Sequence, residues 1–206
     1  SQNDFPDSDF FRNIKATRND KLLSTNTLSE SGNINNLVIL VYFNDHKDLA
    51  DTTLPDSDFA ITPSDTSSYE SLFNSSTNSL NHYFDEMSQS ALNVNSYLTP
   101  WLSISGNEQD YGYDTSDNTD AGIESFYDDV ITALNSGNAQ DLPALDGSID
   151  YDMITIIHSG KNQASINSST NSFRLWSRWD EISNPSLITV GGSNIQISRS
   201  VTISAL

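Results

Sequence analysis

The 206 residues contain no cysteine. Disulfides, thiolate catalysis and Cys-based zinc sites are therefore excluded, while the compartment stays open. Basic residues are scarce: 9 Lys and Arg stand against 28 Asp and Glu, for a formal net charge of -19. Between Lys47 and Lys161 there is no Lys or Arg at all, yet 20 of the acidic residues lie there. Such a surface repels phosphate backbones and anionic lipid, so nucleic acid and membranes are poor partners. No apolar run approaches the length that spans a bilayer; the longest is Leu37–Phe43. The opening residues Ser1-Gln-Asn-Asp are polar, so an exported form would already have lost its signal peptide.

Hydrophobic residues make up 35%, and Asn, Ser, Asp and Thr fill the difference. Dense apolar segments nevertheless remain, which predicts a folded domain with long polar connections. Residues 1–35 read as an N-terminal arm or leader remnant, and 36–206 as one α/β domain.

Leu37-Val-Ile-Leu-Val-Tyr-Phe43 is continuously apolar and rich in β-branched and aromatic residues. That pattern predicts a central strand buried on both faces, with helices on each side. Residues 44–66 carry two prolines and read as a loop. Short helices are expected at 67–74 and at about 79–90. In the second, Leu80, Tyr83, Phe84 and Met87 share a face, and Ser79 is a natural N-cap. The alternation in Ala91–Leu98 predicts a strand. Residues 105–119 read as a loop. Ile123, Phe126, Tyr127, Val130, Ile131 and Leu134 repeat with helical period, so a helix is expected over about 120–136, ended by Gly137. Asp152–Ile157 predicts a second buried strand, and 161–173 a polar loop. Ile188–Val190 and Ile195–Ile203 predict late strands, with Gly191-Gly192 as a hairpin turn. The order implies an α/β fold built on a twisted mixed β-sheet with helices packed on its faces.

Chemistry is harder to place. Three histidines, His46, His82 and His158, show none of the i, i+4 pairing that helical zinc sites use. His158 ends a buried strand, where α/β sheets present functional groups, although a hydrogen-bonded structural role competes. His46 reads as a loop cap and His82 as a surface residue. No G-x-S-x-G occurs, and His158 and Ser159 are adjacent in sequence, so their side chains should diverge. Calcium is the generic metal to consider, with Asp146, Asp150 and Asp152 as candidate ligands. That segment, and a second oxygen-rich loop from Asp110 to Asp120, both depart from the D-x-[DN]-x-[DN]-G pattern.

Five blocks in order resemble the catalytic domain of the immune inhibitor A family of secreted zinc metallopeptidases. Asn36–Asp45 resembles its first strand. Ser71-Leu-Phe73 with Ser79–Ser88 is similar to its Leu-Phe and Ser-x-x-x-Tyr helix. Leu92-Asn-Val with Trp101 is similar to the strand that follows. Tyr151–Gly160 resembles its aliphatic strand ending in His-Ala-Gly, and Leu175-Trp-Ser-Arg-Trp179 its Ile-Trp-Ser-His block. The resemblance implies a metzincin-like fold, a secreted location and zinc in the complete domain. His158, Gly160, Trp176 and Trp179 then become family-motif positions, expected as strand end and packing block. Departures are plain. Only Asp146-Gly147 remains of an Asp-Gly-rich segment, Arg178 stands where His is common, and residues 1–206 contain no H-E-x-x-H.

Three readings follow. The first is the scaffold half of a secreted zinc endopeptidase, inactive in this form, whose partner is the remainder of that domain. The second is a non-catalytic, pseudoenzyme-like module that binds another protein. The third is a calcium-dependent adhesion module.

Overall fold

The computed structural model describes residues 32–46, 66–136, 149, 151–160, 162–163, 174–181, 187–190, 193–196 and 199–204. The expected N-terminal arm lies almost wholly outside them. So do most of the 44–66 and 161–173 loops, Gly137 and the Gly191-Gly192 turn.

Strand β1 (Gly32–Tyr42) is the longest strand of the main sheet. It starts five residues before the apolar run, because Asn33–Asn36 continue the ladder into polar sequence. Parallel partners flank it: β2 (Leu92–Leu98) on one side and β4 (Met153–His158) on the other. The short β3 (Leu102–Ser103) extends the pairing at Val41 and Tyr42. Strand β8 (Arg199–Ser204) lies parallel to β4, and β5 (Arg178–Glu181) closes the sheet antiparallel to β8. The spatial order is β2-β1-β4-β8-β5. This is the mixed, metzincin-like sheet the sequence implied. Strands β6 (Leu187–Val190) and β7 (Ser193–Gln196) form a separate antiparallel pair. The stretch expected as one late strand, Ile195–Ile203, is thus divided between two sheets. β8 leaves β7 to reach the buried ladder beside β4.

Helices cover both faces, as a doubly buried strand requires. Leu37, Ile39, Val41 and Phe43 point to one side, against Phe126, Tyr127, Val130, Ile131 and Leu134 of α4 (Ile123–Asn135). Val38 and Leu40 point to the other, with Phe73, Trp101 and Ile157. There Phe73 comes from α1 (Ser67–Asn74), and Leu80 from α2 (Leu80–Met87) packs alongside. The two-residue period of β1 and the 3.6-residue period of α4 put these side chains in register. Each fully buried aliphatic contributes about 1.5–3 kcal/mol relative to exposure. Ser79 caps α2 as expected, its Oγ accepting the His82 N–H at 3.1 Å.

One element escaped the sequence reading. Within the expected loop 105–119 lies α3 (Glu108–Gly112). The Asn107 N–H donates to the Asp110 carboxylate at 2.8 Å, half of a capping box.

Candidate functional site

The carboxy-terminal ends of β1 and β4 meet, and the chain turns sharply there. After β1 come Phe43 and a 3-10 turn, Asn44–His46. After β4 come Ser159 and Gly160. Ser159 is bound into both strands: its N–H donates to Val41 O at 3.0 Å, and its Oγ accepts the Phe43 N–H at 3.2 Å. The same Oγ lies 2.8 Å from His46 Nδ1. His46 Nε2 lies 3.6 Å from Glu108 Oε2, and Arg174 Nη1 is 3.2 Å from that oxygen. Asp45 reaches across to α3, accepting the Glu108 N–H at 3.1 Å. Four chain segments therefore converge on one largely buried polar chain running from Ser159 through His46 and Glu108 to Arg174.

Electrostatics follow from burial. Glu108 is 1% exposed. Loss of water, with Asp45 alongside, pushes its carboxyl up to about 8. The Arg174 guanidinium in contact works the other way. His46 is held below its ordinary value, chiefly by burial, with Arg174 adding and Asp45 opposing. His158 is fully buried against Phe43 and Phe126, and burial lowers it to about 3, with His46 adding. It is therefore neutral. Its Nδ1 accepts the Gly160 N–H at 3.2 Å, which leaves the proton on Nε2, buried without a partner.

Hydroxyl, imidazole and carboxylate in sequence is the order of a nucleophilic triad. The chemistry does not follow. Ser159 is completely buried, its oxygen is already engaged by Phe43 N–H, and 3.6 Å is too long for a hydrogen bond between His46 and Glu108. No substrate carbonyl has an approach. The chain of groups ties the β1 turn, α3 and the 174 segment together. His158 and Ser159 do diverge, as their adjacency predicts; the imidazole that meets Ser159 is His46, over a hundred residues away.

Gly160 is fixed by the same cluster. A Cβ there would stand 2.0 Å from Glu108 Oε1 and 3.2 Å from Phe43 Cε2. Only hydrogen fits between the strand end and the buried carboxylate.

A second buried carboxylate lies nearby in sequence to α4. Asp120 is 0% exposed and left-handed, with φ 49°, a conformation Asp tolerates better than most residues. Its N–H donates to Asp114 Oδ1 at 3.0 Å. Its carboxylate accepts the Trp176 N–H at 3.3 Å and Arg178 Nη1 at 3.0 Å. Burial raises it to about 6, with Trp176 and Arg178 opposing and Asp114 adding. Arg178 also pairs with Asp180 at 2.6 Å, and Asp180 accepts the Tyr127 hydroxyl.

These partners dispose of the oxygen-rich loop Asp110–Asp120 as a cation cradle. Asp110 takes Asn107 N–H, Asp114 takes Asp120 N–H and Gln163 Nε2, and Asp120 takes Trp176 and Arg178. Of the other calcium candidates, Asp146 and Asp150 lie outside the described residues. Asp152 accepts the Asn35 N–H at 3.0 Å. Among the described residues no three His, Cys, Asp or Glu side chains group as a metal site. The histidines do not converge either: His46 faces Ser159, His82 pairs with Glu86 on α2, and His158 accepts from Gly160. The described residues do not fit a zinc centre, so no catalytic step is derived through one.

The family-motif positions divide. His158 is the buried strand end expected, and Gly160 the close-packed glycine beside it. The packing-block expectation for 175–179 needs correcting. Leu175 is buried, but Trp176 is 37% exposed and Trp179 62% exposed. β5 is an edge strand, and its outward face meets water. Sequence reading also missed Glu108, Arg174 and the His46–Ser159 pair, and placed Asp120 in a cation loop rather than against Arg178. One signal was there: Arg174 and Arg178, among the few cations beyond a 113-residue stretch without Lys or Arg, each bind a carboxylate from inside it.

A family model described as the immune inhibitor A peptidase M6 catalytic domain matches residues 27–153. No curated protein matches the chain.

Proposed function

The chain belongs to the immune inhibitor A peptidase M6 family, a family of zinc metallopeptidases, and from that premise we propose that it forms the sheet scaffold of a secreted endopeptidase domain. The observation that supports this most is the sheet order: four long parallel strands, then β5 antiparallel at the open edge. An edge strand offers unpaired backbone N–H and C=O groups to an extended polypeptide. In this reading β5 lines one wall of the cleft and pairs with substrate.

Residues 1–206 carry no H-E-x-x-H. This chain by itself is therefore inactive as a peptidase, and the zinc-binding helix belongs to the remainder of the domain. Casein incubated with purified 1–206 and added Zn²⁺ should remain intact. Hydrolysis that a chelator abolishes would overturn the reading.

The core on both faces of the sheet, among the described residues, favours a second reading, a non-catalytic relative that uses the scaffold to bind another protein. The coding sequence downstream of Leu206 separates the two. An H-E-x-x-H within about forty residues supports the peptidase scaffold, and a stop codon supports the binding module. Among the described residues no helix is long and apolar enough to cross a membrane.

A further inference from the structure

Strand β2 is the other edge of the main sheet, and β1 is its partner. A strand in that place turns every second backbone N–H and C=O outward, where another chain can pair with them. On β2 side chains hold these groups. Leu92 N–H donates to Ser88 Oγ at 2.8 Å, Val94 N–H to Asn81 Oδ1 at 3.0 Å and Ser96 N–H to Asn74 Oδ1 at 3.1 Å. Asn74 Nδ2 also donates to Ser96 O at 2.9 Å. That one carboxamide meets both backbone groups of Ser96, as a residue of a neighbouring strand would.

The three acceptors are evenly spaced, at 74, 81 and 88. Asn74 ends α1, Asn81 lies in the first turn of α2, and Ser88 caps the carboxy-terminal end of that helix. The spacing from Asn81 to Ser88 is about two helical turns, so α2 turns both toward β2. The series runs antiparallel to the strand: later acceptors meet earlier strand residues. Phe73 and Leu80, each next to one of the asparagines in sequence, pack into the core and fix where the two helices sit.

The strand behind these caps is suited to its own kind. Leu92-Asn-Val-Asn-Ser-Tyr-Leu98 carries no charge, whereas three of the four residues of β5 are charged. Charged side chains are a common guard of sheet edges, and β2 has none. Two β2 strands brought together about a twofold axis would offer each other the same row of groups.

We propose that β2 is a self-pairing edge held shut within the chain: Asn74, Asn81 and Ser88 occupy the backbone groups through which a second copy of this chain would add. The closure stands on the β2 hydrogen bonds and is independent of what β5 binds.

Hydrogen exchange and one introduced thiol test this. In the wild type the amides of Leu92, Val94 and Ser96 should be protected at least about tenfold although they face the edge. The chain has no cysteine, so Asn95→Cys gives a single reporter. In an antiparallel β2 pair centred on residue 95 the two Cα atoms oppose each other without hydrogen bonds, about 4.5 Å apart and within disulfide reach. Under mild oxidation Asn95→Cys alone should stay monomeric. Adding Asn74→Ala and Asn81→Ala should raise the disulfide dimer at least about fivefold at the same protein concentration. Asn81→Asp keeps the acceptor for Val94 N–H, so with Asn95→Cys it should remain at the monomeric level. Circular dichroism checks that each variant is folded; if the double alanine change unfolds the chain, Asn81→Ala alone carries the test. The proposal is overturned if the three wild-type amides exchange freely, if the folded alanine variant dimerises no more than Asn95→Cys alone, or if Asn81→Asp dimerises as readily as the alanine variant.

Discussion

At the amino-terminal part of the parallel sheet the buried polar side chains are amides and hydroxyls; at the carboxy-terminal end of the same strands they include groups that ionise. In the first region Asn36 is completely buried, yet its Nδ2 donates to Ser96 Oγ at 3.2 Å and its Oδ1 accepts the Thr155 hydroxyl at 3.1 Å. Asn93 lies nearer the surface, donating to Asn33 and Asn95. These groups are neutral, so burial costs little once they are paired, and they fix the register of β2, β1 and β4. In the second region Glu108 and His158 are buried, each with one side-chain atom that meets no hydrogen-bond partner, and Arg174 is buried against Glu108. The contrast shows where this fold accepts electrostatic cost. The carboxy-terminal end of parallel strands is where α/β folds place functional groups, and here it is the end that buries ionisable side chains.

Three substitutions test the comparison. Glu108→Ala should have the largest effect, about 3–5 kcal/mol of lost stability, because it removes the buried carboxyl group that Arg174 contacts at 3.2 Å. Chemical denaturation of the single variant beside Glu108→Ala with Arg174→Leu checks it: the pair should lose less than the single change. Asn36→Ala should cost about 1–3 kcal/mol by leaving Ser96 and Thr155 without their shared partner, with no change in the pH profile of stability. Asn93→Ala, at the exposed end of the amide ladder, should stay within about 0.5 kcal/mol. If Asn36→Ala proves as costly as Glu108→Ala, or shifts the pH profile, the two ends do not differ in kind.

Much of the neutral framework was legible in the chain. Leu37–Phe43 has no polar interruption, so a doubly buried strand was the natural outcome, and the stripe Phe126–Leu134 marked its covering helix. α1, α2, β2 and β4 followed from the same periods. The ionisable site was not legible, for a different reason in each residue. Glu108 sits in a short helix of a Gly- and Asn-rich stretch, where only the Asn107–Asp110 capping pair signals helix. Asp120 stood at the start of the helix expected over 120–136, and instead lies outside α4, bound to Arg178. Trp179 looked like packing and faces water, because only sheet order decides that β5 is an edge.

The sequence by itself determined what local periodicity and composition encode: the buried strands and their helices, the absence of thiol chemistry, the acidic surface and, through five ordered blocks, the peptidase family. Tertiary structure alone decided that His46 meets Ser159, that Glu108 meets Arg174 and that Gly160 must lack a side chain. Those pairings join residues 52 to 113 positions apart. A carboxylate carries no local mark of the partner it will meet, and its burial exists only once the sheet has brought the strand ends together.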